Sequence, residues 1–335
     1  MRVGINGLGR IGRGLLKALW DDGRFQVTAL NDVAEGPILA HLLNRDSYYG
    51  PWAHRAETSA SGLRIGTRDL ALFRSALPAQ IPWDDAGVDC VVDATGRFKD
   101  RASLAGHGRP VILTASSDQV DRQVVYGVNH EAIRPGDVIL SATSCTTHCV
   151  VPPVFALGRR FGCRSLWFNT VHCYNVSQPL VDAPLKDLRR SRAGALNLIP
   201  TTTSASLSVE AVLPSLAGKV HGMAVRVPAP AVSLTEITLL TEQPVDRASA
   251  LSCLEEAARG DLQGIMVLSR EELVSQDFLG SQASSVVDVP LLEVADGVLR
   301  LIAWYDNEAG YIARLVDLLA YLAAVRKNGD GEMRR

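Results

Sequence analysis

The chain lacks any uninterrupted apolar stretch approaching the roughly 18 residues that a membrane-spanning helix needs, so no segment reads as a membrane span. It also lacks a basic run longer than a few residues. With a formal net charge of -2, a nucleic-acid footprint has no support. The six cysteines lack the tight, regular spacing of a secreted disulfide scaffold, and the cytoplasm is the compartment expected. Met1-Arg2 leads directly into Val3-Gly4-Ile5, so no signal peptide is expected. No internal repeat is present.

What is there suits two globular domains. The 335 residues are 47% apolar and 21% charged, enough for two separate cores. Up to residue 147, short apolar runs alternate with longer amphipathic segments, the pattern of a parallel sheet covered by helices. Strands are expected at Arg2 to Asn6, Gln26 to Asn31, Val88 to Ala94, Val111 to Thr114, Val124 to Val128 and Val138 to Ala142. Residues 47–87 read as an antiparallel excursion with loops. After Cys149 longer alternating runs appear at Leu166 to His172, Val220 to Val227, Val232 to Leu240 and Val298 to Trp304, which predicts an α+β domain with a mostly antiparallel sheet. Residues 173–203 form a long connection of the kind that carries function. Ile312, Leu315, Val316, Leu319, Leu322 and Ala323 recur at helical spacing, so a terminal helix is expected to return to the first domain. The tail from Lys327 to Arg335 reads as polar and frayed.

The fold class expected is therefore α/β, with a Rossmann dinucleotide-binding domain at 1–147, completed by a helix at 311–326, and an α+β catalytic domain at 148–310. The reason lies in Gly7-Leu8-Gly9-Arg10-Ile11-Gly12, which follows the first strand at once and opens an apolar helix. Alone, such a motif is weak. Strand before, helix after and the acid Asp32 about 20 residues further on make it a strong signal. Gly7 permits the tight turn, Gly9 lets backbone approach a pyrophosphate and Gly12 allows close helix-strand contact. Asp32 can accept bonds from an adenosine ribose and would repel a 2′-phosphate, which argues for NAD over NADP. Asn6, Arg10 and Ile11 go with this turn, and Thr95-Gly96 forms a second contact beyond the third strand.

Cys145 is the candidate nucleophile. It sits in Ser144-Cys145-Thr146-Thr147-His148-Cys149 at an expected strand-to-helix junction, and His172 ends another apolar run downstream. A helix N-terminus together with an imidazolium can bring a thiol to a pKa of roughly 6, so a predominant thiolate is expected. Pro152-Pro153 must then lie near the helix start, or they kink it. Cys149 reads as an inert buried thiol, and Cys173 as pointing away from His172 if the strand continues. His41, His54, His107, His130 and His221 read as surface or structural.

A zinc site built from Cys145, His148, Cys149, His172 and Cys173 is the competing chemistry. Neither Cys-x-x-Cys nor a His-x3-His pair occurs, and such a site leaves the dinucleotide motif without a reaction, so no metal is expected. A catalytically dead NAD sensor is a further alternative, against which stands the retention of both Cys145 and His172.

At Cys145 the motifs converge on a resemblance. The chain resembles phosphorylating glyceraldehyde-3-phosphate dehydrogenases along nearly its whole length, as a divergent member. The resemblance rests on Asn6 to Arg13, Ser144 to Thr147, Thr170-Val171-His172, Lys186 to Arg190, Pro200 to Thr203, Arg226-Val227-Pro228 and Trp304 to Glu308. It implies that Cys145 attacks an aldehyde, that His172 takes the hemithioacetal proton as hydride leaves to NAD, and that inorganic phosphate cleaves the thioester. It further implies that Asn307, with Tyr311, holds the nicotinamide, that Ser144, Thr146 and Thr203, with Ser204, bind the attacking phosphate, and that Arg226 bridges the phosphate positions. The substrate implied is a phosphorylated aldehyde, foremost glyceraldehyde 3-phosphate, and the assembly a homotetramer with residues 173–203 at the contact.

Departures from the family pattern cluster at one pocket. Asn175 and Ser177 stand where Thr and Asp are usual for the substrate's own phosphate, His148 where Asn is usual, Ser204 for Gly and Ala309 for Trp. A related aldehyde such as erythrose 4-phosphate, a specialised-pathway aldehyde, or resistance to a thiol-directed inhibitor is the alternative these departures allow.

Overall fold

The computed structural model describes residues 1–332. The chain divides into two compact units, one made of Met1–Tyr126, His130–Thr143 and the segment from Ile312 onward, the other of Gly127–Asn129 and Ser144–Tyr311.

In the first unit β1 (Arg2–Asn6), β2 (Gln26–Asn31), β3 (Ala56–Ser59), β4 (Gly62–Ile65), β5 (Arg68–Phe73), β6 (Cys90–Asp93), β7 (Val111–Leu113), β8 (Arg122–Gln123) and β9 (Ile139–Ser141) form one sheet. Among the described residues its order is β3-β4-β5-β2-β1-β6-β7-β9-β8. The centre is parallel, whereas β3-β4 and β4-β5 are antiparallel, so residues 47–87 supply the expected excursion. Central strands are buried on both faces, as a parallel sheet covered by helices requires: all four residues of β6 are inaccessible. Helices α1 (Arg10–Trp20), α2 (Gly36–Asn44) and α3 (Arg101–Ala105) connect them. Leu15, Leu16 and Leu19 of α1 supply its buried stripe.

One strand expectation fails. Val124 to Val128 is not a strand, because β8 stops at Gln123 after two residues and the chain turns at Gly127, whose φ of +87 is left-handed. Val124 and Val125 are nonetheless buried, so their apolar character reports core rather than ladder.

The second unit holds α4 (Cys145–Phe161), β10 (Ser165–Cys173), β11 (Ile199–Thr201), α5 (Ala205–Val212), β12 (Val220–Val227), β13 (Ser233–Leu240), α6 (Arg247–Arg259), β14 (Met266–Ser269), β15 (Ser285–Ala295) and β16 (Val298–Tyr305). The sheet order is β11-β12-β10-β13-β16-β15-β14 among the described residues. Pairing is antiparallel except for β10-β12 and β14-β15. Alternate residues of β13 are buried, and α4, α5 and α6 cover that face.

Pro152 and Pro153 lie in the interior of α4, not at its start. They deny the His148 and Cys149 carbonyls their helical donors, and buried packing along α4 offsets that loss. The last helix, α7 (Ala309–Glu332), extends past the expected end, so the tail is helical through Glu332 and its final three residues lie outside the described residues. Ile312 packs against Gly14 of α1, which ties the returning helix to the first unit.

Candidate active site

Serine at position 144 caps α4: its Oγ accepts from the Thr147 N–H at 3.2 Å, and Cys145 becomes the first helical residue. The thiol therefore faces the positive end of a long helix. Its Sγ lies 3.5 Å from His172 Nε2.

His172 is the penultimate residue of β10, and the parallel ladder sets Arg226 of β12 opposite it. Nδ1 of His172 faces two groups with opposite demands. The Cys173 carbonyl, at 2.7 Å, takes a proton from Nδ1, whereas Arg226 Nη1, at 2.5 Å, can only donate to it. Burial first, and then the Arg226 charge, push the His172 pKa down to about 3. Burial also pushes the Cys145 thiol up, and Arg226 opposes that shift. The expected thiolate thus meets an opposing effect of burial at this site. Desolvation works against the charged form of both partners, thiolate and imidazolium alike, and opposes the helix end.

The other two cysteines near the site are held protonated. Burial pushes both Cys149 and Cys173 up to about 12. Cys173 does not point away from His172, contrary to strand alternation. The strand ends there, with Cys173 N–H donating to Ser233 Oγ, and Sγ lies 3.7 Å from His172 Nδ1 and donates to Asn307 Oδ1 at 3.1 Å. His148 is buried, and its ring meets that of Tyr311 edge-on at 5.4 Å. Among the described residues, no group of three His, Cys, Asp or Glu side chains is placed to hold a metal.

Tyr305 and Thr170 belong to motifs legible in the sequence, yet their role is not. Thr170 Oγ1 donates to the Leu234 carbonyl at 3.2 Å, so it accepts from Tyr305 Oη at 2.8 Å, and Tyr305 in turn accepts from Thr146 Oγ1 at 3.0 Å. Only the spatial convergence of β10, β16 and α4 makes that chain of hydroxyls. Thr203 Oγ1 accepts from Ala205 N–H at the start of α5, and Ser204 occupies its N-cap position. Asn175 and Ser177 turn to one another: Ser177 N–H and Oγ–H both donate to Asn175 Oδ1, at 3.0 and 2.6 Å.

In the first unit the dinucleotide motif is placed at the carboxyl ends of β1, β2 and β6. Gly7 has φ of +91, and a Cβ there would lie 2.8 Å from Thr95 N. A Cβ on Gly12 would overlap the Gly7 carbonyl, while one on Gly9 would meet no described atom within 4 Å. Two turns thus pack together and leave open space above Gly9 at the N-terminus of α1, an arrangement compatible with an anion such as a pyrophosphate. Asp32 Oδ2 accepts from Leu8 N–H at 2.7 Å and Oδ1 from Ala34 N–H at 2.8 Å, which leaves each oxygen a further lone pair. Arg10 is turned to Asp46, at 2.8 Å, and lies over the Tyr48 ring. Gly96 is left-handed, Ile11 is half-buried, and the Asn6 side chain is buried beneath the turn.

Comparison with known proteins adds an independent observation. Residues 1–101 match the family described as glyceraldehyde 3-phosphate dehydrogenase, NAD binding domain, and residues 144–307 match its C-terminal domain. The chain is 40% identical over 330 residues to the glyceraldehyde-3-phosphate dehydrogenase of Geobacillus stearothermophilus, covering 97% of this chain and 98% of that one. It is 39% identical over 329 residues to glyceraldehyde-3-phosphate dehydrogenase 1 of Bacillus cereus, covering 96% and 98%. Against glyceraldehyde-3-phosphate dehydrogenase 2 of Streptomyces avermitilis the identity is 36% over 329 residues, with 96% and 98% covered.

Proposed function

Since the chain belongs to the glyceraldehyde-3-phosphate dehydrogenase family and is an NAD-dependent dehydrogenase, we propose that it oxidises glyceraldehyde 3-phosphate to 1,3-bisphosphoglycerate through a thioester on Cys145. The observation that carries this reading is the Cys145 Sγ to His172 Nε2 approach of 3.5 Å at the N-terminus of α4. None of the relatives named above favours erythrose 4-phosphate or another aldehyde.

The turn from Asn6 to Gly12, with Asp32, Thr95 and Gly96, would hold the dinucleotide, and Asn307 and Tyr311 its nicotinamide end. Bound NAD supplies the hydride acceptor. The rest is done by the chain. As Sγ attacks the aldehyde carbon, the thiol proton passes to His172 Nε2 and then to the nascent alkoxide. His172 next removes the hemithioacetal hydroxyl proton as the carbon is oxidised, and the Cys145 N–H and the imidazole steady the oxyanion. Inorganic phosphate then attacks the thioester carbon and releases the Cys145 sulfur, which recovers its proton from His172.

Arg226 links substrate to base. While it donates to Nδ1, the ring proton is held on Nε2, facing sulfur. Once a substrate phosphate draws the guanidinium away, Nδ1 can take up a proton from solvent and donate it to the Cys173 carbonyl while Nε2 gives up its own, which frees the Nε2 lone pair to act as base. Ser144, Thr146, Thr203 and Ser204 are the proposed ligands of the attacking phosphate, and Asn175 and Ser177 those of the substrate's own.

A homotetramer in the cytoplasm completes the reading. In the segment 173–203 Leu180, Leu188 and Leu196 are 77%, 85% and 82% exposed, an apolar surface suited to a second copy of the chain. No helix among the described residues is long and apolar enough to cross a membrane.

The deciding experiment is a panel of phosphorylated and unphosphorylated aldehydes, with and without inorganic phosphate, followed by NADH formation. Phosphate-dependent turnover of glyceraldehyde 3-phosphate above all others is expected. Preference for an unphosphorylated aldehyde, or turnover indifferent to phosphate, would overturn the proposal. Sedimentation of the purified chain measures its assembly.

A further inference from the structure

Asp93 ends β6 with its carboxylate completely inaccessible, and it takes no part in the reaction proposed above. Four donors surround it. Oδ1 accepts from the Thr95 N–H at 3.1 Å and from Thr95 Oγ1 at 2.7 Å, while Oδ2 accepts from Asn6 Nδ2 at 2.8 Å and His107 Nε2 at 3.2 Å. No Lys or Arg is among these partners, so dipoles alone compensate the buried carboxylate.

The donor from His107 is fixed by the next residue out. Trp83 Nε1 reaches His107 Nδ1 at 3.0 Å, and an indole N–H can only donate, so Nδ1 carries the lone pair and the ring proton sits on Nε2. In the other direction Asn6 Oδ1 accepts from Asn31 Nδ2 at 2.8 Å, and Asn31 Oδ1 accepts from Ser75 N–H at 2.9 Å. The network thus runs across the carboxyl ends of β6, β1 and β2, and every bond in it has one permitted direction.

Two of the Asp93 partners open the two turns that pack on each other. Asn6 precedes Gly7, Thr95 precedes Gly96, and the backbone adds Ala94 N–H to the Asn6 carbonyl at 2.7 Å. The spacing between these turns is therefore set from below by one carboxylate.

We propose that Asp93, oriented by His107, is the positioning residue that holds the Gly7-to-Gly12 turn and the Thr95-Gly96 turn in the single geometry that binds the dinucleotide. This rests on reading that edge as the NAD site. It predicts that NAD affinity, rather than the rate of the chemical step, depends on a histidine and an aspartate buried under the cofactor.

The test compares Asp93→Asn, His107→Leu and His107→Gln by calorimetric NAD binding and by kinetics with NAD varied. Asp93→Asn and His107→Leu should raise the dissociation constant and KM for NAD at least about tenfold, since the first removes the buried carboxylate and the second deletes one of its donors. The kcat at saturating NAD should fall by less than about threefold. His107→Gln, whose amide oxygen and nitrogen can take the places of the two ring nitrogens, should stay within about threefold of the parent. Unchanged NAD affinity in either disruptive variant, or failure of His107→Gln to restore it, overturns the proposal. Should Asp93→Asn not fold, the His107 pair decides alone. Gly9→Asp separates the two levels of inference: intact NAD binding there refutes the cofactor-site reading itself, whereas loss there with normal binding in His107→Leu refutes only the positioning role.

Discussion

Arg226 stands opposite His172 in the parallel ladder of β10 and β12, and one of its guanidinium nitrogens serves both His172 Nδ1 and the Cys173 carbonyl. A fixed cation thereby sits against the proposed base. The same charge favours the Cys145 thiolate and disfavours a His172 imidazolium.

Removal of the proposed nucleophile gives the simplest expectation. Cys145→Ser should abolish NADH production and the acid-stable thioester, a loss of the covalent path that the serine hydroxyl cannot replace. Stopped-flow absorbance and quenched mass spectrometry measure the two. Undiminished turnover refutes the role of Cys145.

His172→Asn should lower kcat by about 100-fold to 10,000-fold, as general base catalysis is lost. Because burial holds the Cys145 thiol above its ordinary range, alkylation of the NAD-free enzyme by iodoacetamide should keep accelerating with pH up to at least about pH 9. A plateau near neutrality would show that a stable thiolate is present after all.

The His172 pKa also makes stability pH-dependent. Folding lowers it from 6.5 to about 3, so between those values the unfolded chain binds a proton that the folded chain does not. This contribution is complete above the unfolded value and is lost as pH falls toward about 3, by up to ~1.4 kcal/mol per pH unit. Urea unfolding of the parent and of His172→Gln across that range should show a steeper acid decline in the parent. Parallel curves would refute the assignment.

Tyr305→Phe removes the link between the Thr146 and Thr170 hydroxyls. Leaving buried hydroxyls without that partner should cost about 1–3 kcal/mol, read from urea unfolding. The KM for inorganic phosphate should shift as well, because the Thr146 proton is no longer committed to Tyr305. A variant unchanged in both respects argues against the relay.

Asp32 bears on cofactor choice. The parent should use NAD at least about a hundredfold better than NADP by kcat/KM, since a carboxylate repels a 2′-phosphate. Asp32→Ser should narrow that ratio. Equal efficiency of the two cofactors in the parent would remove the reading of Asp32.

The sequence alone carried the recurrent local patterns. β1, β2 and β12 fall on the residues where their apolar runs lie, and the glycine turn after β1 is where its spacing implied. Patterning failed where burial and ladder membership part company: Val124 and Val125 are core residues in a turn region, and Pro152 and Pro153 lie in the interior of a helix that they were expected only to begin or bend. β14 and β15 are not legible in the sequence because no clear alternation marks them off.

The sequence by itself determined which chemistry is available: a cysteine at a helix start, a histidine ending a strand, and a turn that only glycine can make. Those are properties of residues and their near neighbours. Tertiary structure decided the burial that shifts Cys145 and His172, the inward turn of Cys173, the hydroxyl chain through Tyr305 and the cage around Asp93. Each depends on strands far apart in sequence that the sheets bring side by side, and on the exclusion of water there, which sets the cost of a charge and the direction of every hydrogen bond.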